Sequence, residues 1–329
     1  MPQSLIEAVQ AMRAPIVVTH VVPDADALGS AMAMVRACSS SDCHPKLSLP
    51  EQSVSKRLGF LCDWIQPVLA TVDDFASADG FIVVDTAKKE RCAVGPELKN
   101  VDWSGDRPIV NIDHHASNTR FGQFNWVVGD ASSAAELVYL VLLATARPID
   151  ALTASVLYAG ILTDTLGFSL PTVAAFSLSA AADLVARGAD VKELGERLCR
   201  SQRQAEFDLL RVIYANTQTA ADGQIGYSSA GFDEIHGAGC TAADIDDQIN
   251  VPRSLKGVRL AMLFTEGRKG KTRINFRGSG DVTVVELAKE FDGGGHRQAA
   301  GAVLECHLED AIARVLPRAV AHLKQFPVA

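Results

Sequence analysis

Three short runs in this chain are almost wholly apolar, and each ends in an acid or a histidine. They are Pro15-Ile16-Val17-Val18-Thr19-His20, Phe81-Ile82-Val83-Val84-Asp85 and Ile109-Val110-Asn111-Ile112-Asp113. A strand without polar alternation has both faces covered, which is the situation of a parallel sheet. Helical patterns separate the runs. Ala27–Cys38 follows the first, and His44–Leu49 reads as a further strand. Ser133 and Glu136 form a capping box, and the largely apolar Leu137–Ala146 continues it as a buried helix. Asp150 is the expected cap of a helix reaching Thr163, and Val173–Arg187 is helical with Gly188 as C-cap. Ser4 and Glu7 read as a capping box opening a short N-terminal helix.

The 329 residues suffice for two domains, each with its own core. The stretch 192–215 is helical but rich in charge and reads as a connecting helix. Beyond it come strand-like Ile225–Ser229, Arg259–Thr265 and Thr272–Arg277, helical Thr283–Phe291, a glycine loop and a final helix. The expected fold is α/β: an N-terminal parallel-sheet domain over 1–190 with helices on both faces, a helical linker over 191–216, and a smaller α/β domain over 217–329. A net charge of −8 argues against a general nucleic-acid coat or a binder of anionic membranes. No apolar run is long enough to span a bilayer, and the start lacks the layout of a signal peptide. Seven scattered cysteines without a CxxC pair suit reduced thiols in the cytoplasm.

The strand ends carry the chemistry. His20, Asp24 and Asp26 are spaced H-x3-D-x-D after the first run, Asp85 ends the second, and Asp113-His114-His115 follows the third. Asp164 closes an apolar helix in "AGILTDT". Singly, each has a bland reading: Asp24 or Asp26 as a cap, Asp164 as a helix end, His20 as a hydrogen-bonded histidine. Together they are harder to explain as structure. Open parallel sheets bind ligands at the carboxyl ends of their strands. Several uncompensated carboxylates there would repel one another and raise their own pKa values. Bound cations remove that problem, and Asp24, Asp26, Asp85 and Asp164 carry the charge to balance two divalent ions.

The motifs "THVVPDADALGSA", "VVDTA", "NIDHHASN" and "GILTDT", followed by "GGGHRQAAG" at 293–301, resemble in content and order those of the DHH phosphoesterases with their DHHA1 domain. The two-domain layout is most similar to the NrnA-type oligoribonucleases. The resemblance implies one ion on His20, Asp24 and Asp85, and a second on Asp26, Asp85, His114 and Asp164, with Asp85 as the bridge. Asp113 would orient a histidine, and His115 would face the substrate phosphate. Mixed imidazole and carboxylate ligation suits Mn2+, and is also compatible with Co2+, Zn2+ or Mg2+.

For substrate binding, the resemblance points to Arg277 and Ser279 and to the loop Gly293, Gly294, Gly295, His296 and Arg297, where glycines bring backbone amides close to an anion. After "TDT" the chain departs from the family's usual stretch and reads Leu166-Gly167-Phe168-Ser169. The expected activity is hydrolysis of short RNA or linear dinucleotides to 5′-mononucleotides, and of 3′-phosphoadenosine 5′-phosphate. Long nucleic acid and membranes are not expected partners, and a homodimer is. The competing readings are an inorganic pyrophosphatase and a non-catalytic nucleotide sensor.

Overall fold

The structure is a computed structural model that describes residues 1–50, 54–55, 57–241, 245–295 and 297–327. The chain forms two compact units, Met1–Ser201 and Gln202–Ala329. The first contains α1 (Gln3–Ala11), β1 (Ile16–Val18), α2 (Ala25–Cys38), β2 (Lys46–Ser48), α3 (Gly59–Ile65), α4 (Val72–Ser77), β3 (Phe81–Val84), β4 (Ile109–Asp113), β5 (Phe124–Val127), α5 (Ala134–Ala144), α6 (Ala151–Asp164), α7 (Ala175–Ala186) and α8 (Val191–Cys199). Its sheet runs β2-β1-β3-β4-β5, and every neighbouring pair is parallel. The chain leaves β1 on one side and returns on the other, so the switch point falls between β1 and β3.

The continuous apolar runs are explained by two covered faces. Val17, Ile82, Val84, Val110 and Ile112 join a core with Leu28, Met32, Val138, Leu142, Val156 and Leu157 from α2, α5 and α6. Ile16, Val18, Phe81, Val83 and Ile109 point the other way, onto Phe75 of α4 and Trp103. Phe81 meets Trp103 edge-on at 4.9 Å. The helical layer is packed through a glycine: a methyl group at Gly160 would lie 2.7 Å from both the Ala135 Cβ and the Asp26 Oδ1. That close approach brings α2, α5 and α6 together beside the end of β1.

Three local expectations are corrected. Ser4 does not cap α1. The helix starts at Gln3, with Pro2 as its N-cap, and Glu7 accepts from the Gln3 amide at 3.2 Å. The fixed φ of proline sets the start before Ser4 can serve as the cap. At α5, Ser133 accepts the Glu136 amide as expected, but the Glu136 carboxylate takes the Ser132 and Ser177 hydroxyls instead of closing the box.

The stretch 191–216 is two helices, not one. α8 ends at Cys199, and α9 (Gln204–Ala215) begins within the second unit. Ser201 donates its hydroxyl to the Arg197 carbonyl, and the Glu206 carboxylate accepts the Arg203 amide at 3.1 Å. Both bonds compete with helical continuation at that point.

The second unit continues with β6 (Gln218–Ala220), β7 (Ile225–Ala230), α10 (Phe232–Gly237), α11 (Asn250–Arg253), β8 (Leu260–Arg268), β9 (Lys271–Gly278), α12 (Val285–Lys289), β10 (Gly294–Gly295), β11 (Ala299–Leu304) and α13 (Leu308–Leu323). Its sheet order is β10-β11-β9-β8-β7-β6, with β7 and β8 parallel and the other pairs antiparallel. Phe264, Ile274, Phe276 and Leu287 pack with Val315 and Ala319 of α13 on one face. Ala261 and Leu263 pack with Leu209 and Ile213 of α9 on the other. Among the described residues no helix is long and apolar enough to cross a membrane.

Candidate metal centre

The expected acids and histidines of the first unit gather at the carboxyl ends of β1, β3 and β4. His20 lies two residues past β1. Its Nδ1 is 2.9 Å from the Val21 carbonyl, which can only accept, so the hydrogen sits there and Nε2 keeps a lone pair. That Nε2 is 3.5 Å from Asp85 Oδ2. Asp24 caps α2 by accepting the Ala27 amide at 2.9 Å. Asp26, in the first turn of α2, is buried and accepts the Ala134 and Ala135 amides at 2.7 and 2.8 Å. The N-terminus of α5 therefore holds this carboxylate.

Asp85 follows β3 in a left-handed conformation, φ 50°, which is strained for a residue with a Cβ. It is buried, and its Oδ1 has no hydrogen-bond partner. His114 Nε2 lies 3.5 Å from Asp85 Oδ1, 3.5 Å from Asp164 Oδ2 and 3.9 Å from Asp26 Oδ2. Asp164 is the last residue of α6, where the helix dipole adds negative potential.

Three trios have ligand atoms within 4.8 Å of one another: His20, Asp24 and Asp85; Asp26, His114 and Asp164; and Asp85, His114 and His115. Asp85 is shared by two of these trios, and His114 by two.

The titration behaviour reflects crowding. Burial raises Asp26 well above the usual carboxylate range, and the charges of Asp85 and Asp164 add to it. Burial likewise lifts Asp164 to about 6, with His114 opposing. For Asp85 burial works upward, but the adjoining His114 and His20 outweigh it and hold the group below its ordinary value. Burial alone would lower His114; contact with Asp85 and the charges around it instead raise it to about 11. An unmatched buried acceptor, clustered acids and imidazoles drawn toward the protonated state all describe a pocket short of positive charge. The donor set of carboxylates and imidazoles fits divalent ions.

Asp113 is fully buried, accepts from His115 Nδ1 at 2.7 Å and takes the His114 amide at 2.9 Å. The histidine it orients is thus His115. Two residues without an assigned role complete the arrangement. Asn118 donates to Asp113 Oδ2 at 2.5 Å, to Asn111 Oδ1 at 2.8 Å and to the Thr86 carbonyl at 3.2 Å. Asn111 donates to the same Thr86 carbonyl at 3.2 Å. This amide pair ties the turn after Asp85 to the segment bearing the histidines. Its signal was present in "NIDHHASN", but asparagines near a turn are too common to single out.

In the second unit the expected glycine loop is partly a strand. Gly294 and Gly295 pair with Gly301 and Ala300 of β11, and the Gly293 amide donates to the Ala288 carbonyl at 2.9 Å. Gly293 is therefore engaged in close packing, whereas Gly294, Gly295 and Arg297 are exposed. Arg277 lies near the end of β9 opposite Ala299, and the Ser279 amide donates to the Arg259 carbonyl at 2.9 Å. His296 lies outside the described residues. Phe168 packs against the core, 6.3 Å from Tyr158 between ring centroids.

Comparison with known proteins agrees with this arrangement. Residues 15–161 match the model of the DHH family N-terminal domain, and residues 222–326 that of the DHHA1 domain. A bifunctional oligoribonuclease and PAP phosphatase NrnA of Thermus thermophilus is 27% identical over 312 residues, covering 94% of this chain and 90% of the relative. Its namesake in Bacillus subtilis is 26% identical over 311 residues, covering 92% and 93%. The crystal structure of an exopolyphosphatase-related protein from Bacteroides fragilis shares the fold with a TM-score of 0.89 at 22% identity, over 98% of this chain and 97% of that one. With both domain models matched in order around the clustered acids and histidines, the chain belongs to the DHH/DHHA1 phosphoesterase family.

Proposed function

We propose that this chain is a dinuclear-metal phosphodiesterase that hydrolyses short oligoribonucleotides or linear dinucleotides to 5′-mononucleotides, and that also dephosphorylates 3′-phosphoadenosine 5′-phosphate. The observation that carries this reading is the pair of trios His20–Asp24–Asp85 and Asp26–His114–Asp164, joined by the 3.5 Å approach of His114 Nε2 to Asp85 Oδ1. The names of the Thermus and Bacillus relatives supply the substrate class.

In this reading His20, Asp24 and Asp85 hold one ion, and Asp26, Asp85, His114 and Asp164 hold the other, with Mn2+ as the metal. Two such ions, when bound, supply Lewis acidity toward a phosphoryl oxygen and make water a stronger acid. Asp85, with its unmatched Oδ1, is the shared ligand. The strained backbone at Asp85 presets the carboxylate for that position.

His115 addresses the phosphate. Burial disfavours its imidazolium, but the Asp113 carboxylate outweighs this and raises its affinity for a proton. With Nδ1–H held by Asp113, a protonated ring offers Nε2–H to a phosphoryl oxygen. Residues 217–329 form the substrate-binding domain, with Arg277, Ser279, Gly294, Gly295, His296 and Arg297 as the anion-contacting set and 1–190 as the catalytic domain. The enzyme works in the cytoplasm, where its seven cysteines stay reduced.

The test is product analysis with pApA, a five-nucleotide RNA, 3′-phosphoadenosine 5′-phosphate and pyrophosphate, each with Mn2+ or with EDTA. Mn2+-dependent release of 5′-mononucleotides from pApA and the RNA is the expected result. Highest activity on pyrophosphate would overturn the substrate class.

A further inference from the structure

Two loops border the metal centre, and both carry cations that the reading above leaves without a role. The first runs from Asp85 through Lys88 and Arg91 to Val94, and the second from His114 through Arg120. They are cross-linked. Thr119 donates its amide and its hydroxyl to the Ala87 carbonyl, at 2.9 and 3.2 Å. Asn118 reaches the Thr86 carbonyl and Asp113, and its own Oδ1 accepts the Arg120 amide at 2.6 Å. The first loop is also fixed to the His20 segment. The Val21 amide donates to Arg91 O at 2.8 Å, and the Ala93 amide to Thr19 O at 2.6 Å. The backbones of Lys88, Arg91 and Arg120 are therefore positioned by the framework that positions the acids and histidines.

Their side chains are uncommitted. All three are exposed, and among the described residues none makes a side-chain hydrogen bond or ion pair. Lys89, next to Lys88, is different: it pairs with Asp102 at 2.7 Å and lies over Trp103. The carboxylate of this turn, Glu90, is exposed as well, so the loop from 86 to 94 keeps an excess of positive charge in a chain of net −8. Arg120 adopts a left-handed backbone, φ 54°, a conformation that glycine adopts at lower cost. A strained backbone carrying an unpaired guanidinium beside a catalytic centre suggests a ligand for that guanidinium.

We propose that Lys88, Arg91 and Arg120 form a second anion subsite on the catalytic unit, which takes a phosphate group flanking the one being hydrolysed. The inference rests on the phosphodiesterase reading and deepens it. Guanidinium groups match phosphate oxygens bidentately, and the lysine adds a point charge. The subsite selects substrates by a second phosphate rather than by base.

The test compares ApA, pApA and ApAp as substrates of the wild-type protein, Arg120→Gly and Lys88→Ala, with Mn2+ present. Glycine accepts a positive φ, so Arg120→Gly removes the guanidinium without straining the fold. Wild type is expected to favour one phosphorylated dinucleotide over ApA. In each variant KM for that substrate rises about tenfold with kcat little changed, while ApA hydrolysis is unaltered. Raising ionic strength should erode the wild-type preference, because exposed charges are screened. Three results overturn the subsite while leaving the parent reading intact: no wild-type preference, a preference that survives both substitutions, or an equal loss on ApA. Failure of the wild type to cleave any of the three dinucleotides would instead remove the parent reading and the subsite with it.

Discussion

Several of the acids and histidines at the candidate metal centre are held by a feature that can be named. Asp24 is a helix cap, Asp26 sits on the first amides of α5, Asp85 occupies a strained turn, and Asp113 turns His115. Asp113→Asn keeps the shape but weakens the hold on the His115 proton. It should lower kcat/KM by about 10- to 100-fold, the usual cost of losing such a supporting group. The limb of the pH–rate profile due to His115 should also move to lower pH. An unchanged profile would show that His115 is not the group that donates a hydrogen bond to the phosphate.

Proton linkage gives a second prediction at this scale. Burial keeps Asp26 and Asp164 partly protonated at higher pH than usual, and the acids around His114 hold its proton up to about 11. Cations must displace those protons, so Mn2+ affinity should fall as pH is lowered from 7.5 toward about 5.5. Calorimetric titration in buffers of different ionisation enthalpy should register proton release on binding. These eight side chains were legible in the sequence because each ends or begins an apolar element. The amides of Ala134 and Ala135 were not, since every helix start offers such groups and only the fold says which carboxylate meets them.

At the scale of elements, the centre depends on how closely α2, α5 and α6 approach. Gly160 faces Asp26 and Ala135, and an added methyl has no room there. Gly160→Ala should cost about 1–3 kcal/mol in urea unfolding, the range for overpacking a close-packed site. It should also weaken Mn2+ binding, because the displaced side is the one bearing Asp26. Normal Mn2+ affinity in a destabilised variant would separate packing from ligand placement. Strands β1, β3 and β4 were legible from apolar runs and β2 was read without one, but β5 was not, because its Phe124-Asn125-Trp126-Val127 is half-buried and interrupted by a polar residue. The break between α8 and α9 was not legible. Its charged residues, Arg197, Arg200, Arg203 and Glu206, have good helix propensity, and a serine hydroxyl and a carboxylate decide the matter locally.

For the whole molecule, the two units have separate cores: Val17, Ile82 and Phe81 belong to one set of clusters, and Phe264, Phe276 and Ile213 to the other. The candidate metal trios lie wholly in the first unit. Calorimetric unfolding should therefore show two transitions, and Mn2+ should raise only one of them, by about 2.7 kcal/mol for each ion bound at a concentration 100 times its Kd. A single transition shifted as a whole would show that the units unfold cooperatively.

The sequence alone determined the α/β class, the existence of a parallel sheet and the identity of the clustered acids and histidines, because strand burial and ligand chemistry are written in residue type and order. Tertiary structure decided which histidine Asp113 orients, that the N-terminus of α5 holds Asp26, and that Gly294 and Gly295 join a sheet edge. The hold on Asp26 joins segments 108 and 109 residues apart and is a choice made by packing; the other two are short-range, but they turn on side-chain orientation and backbone hydrogen bonding that residue pattern does not specify.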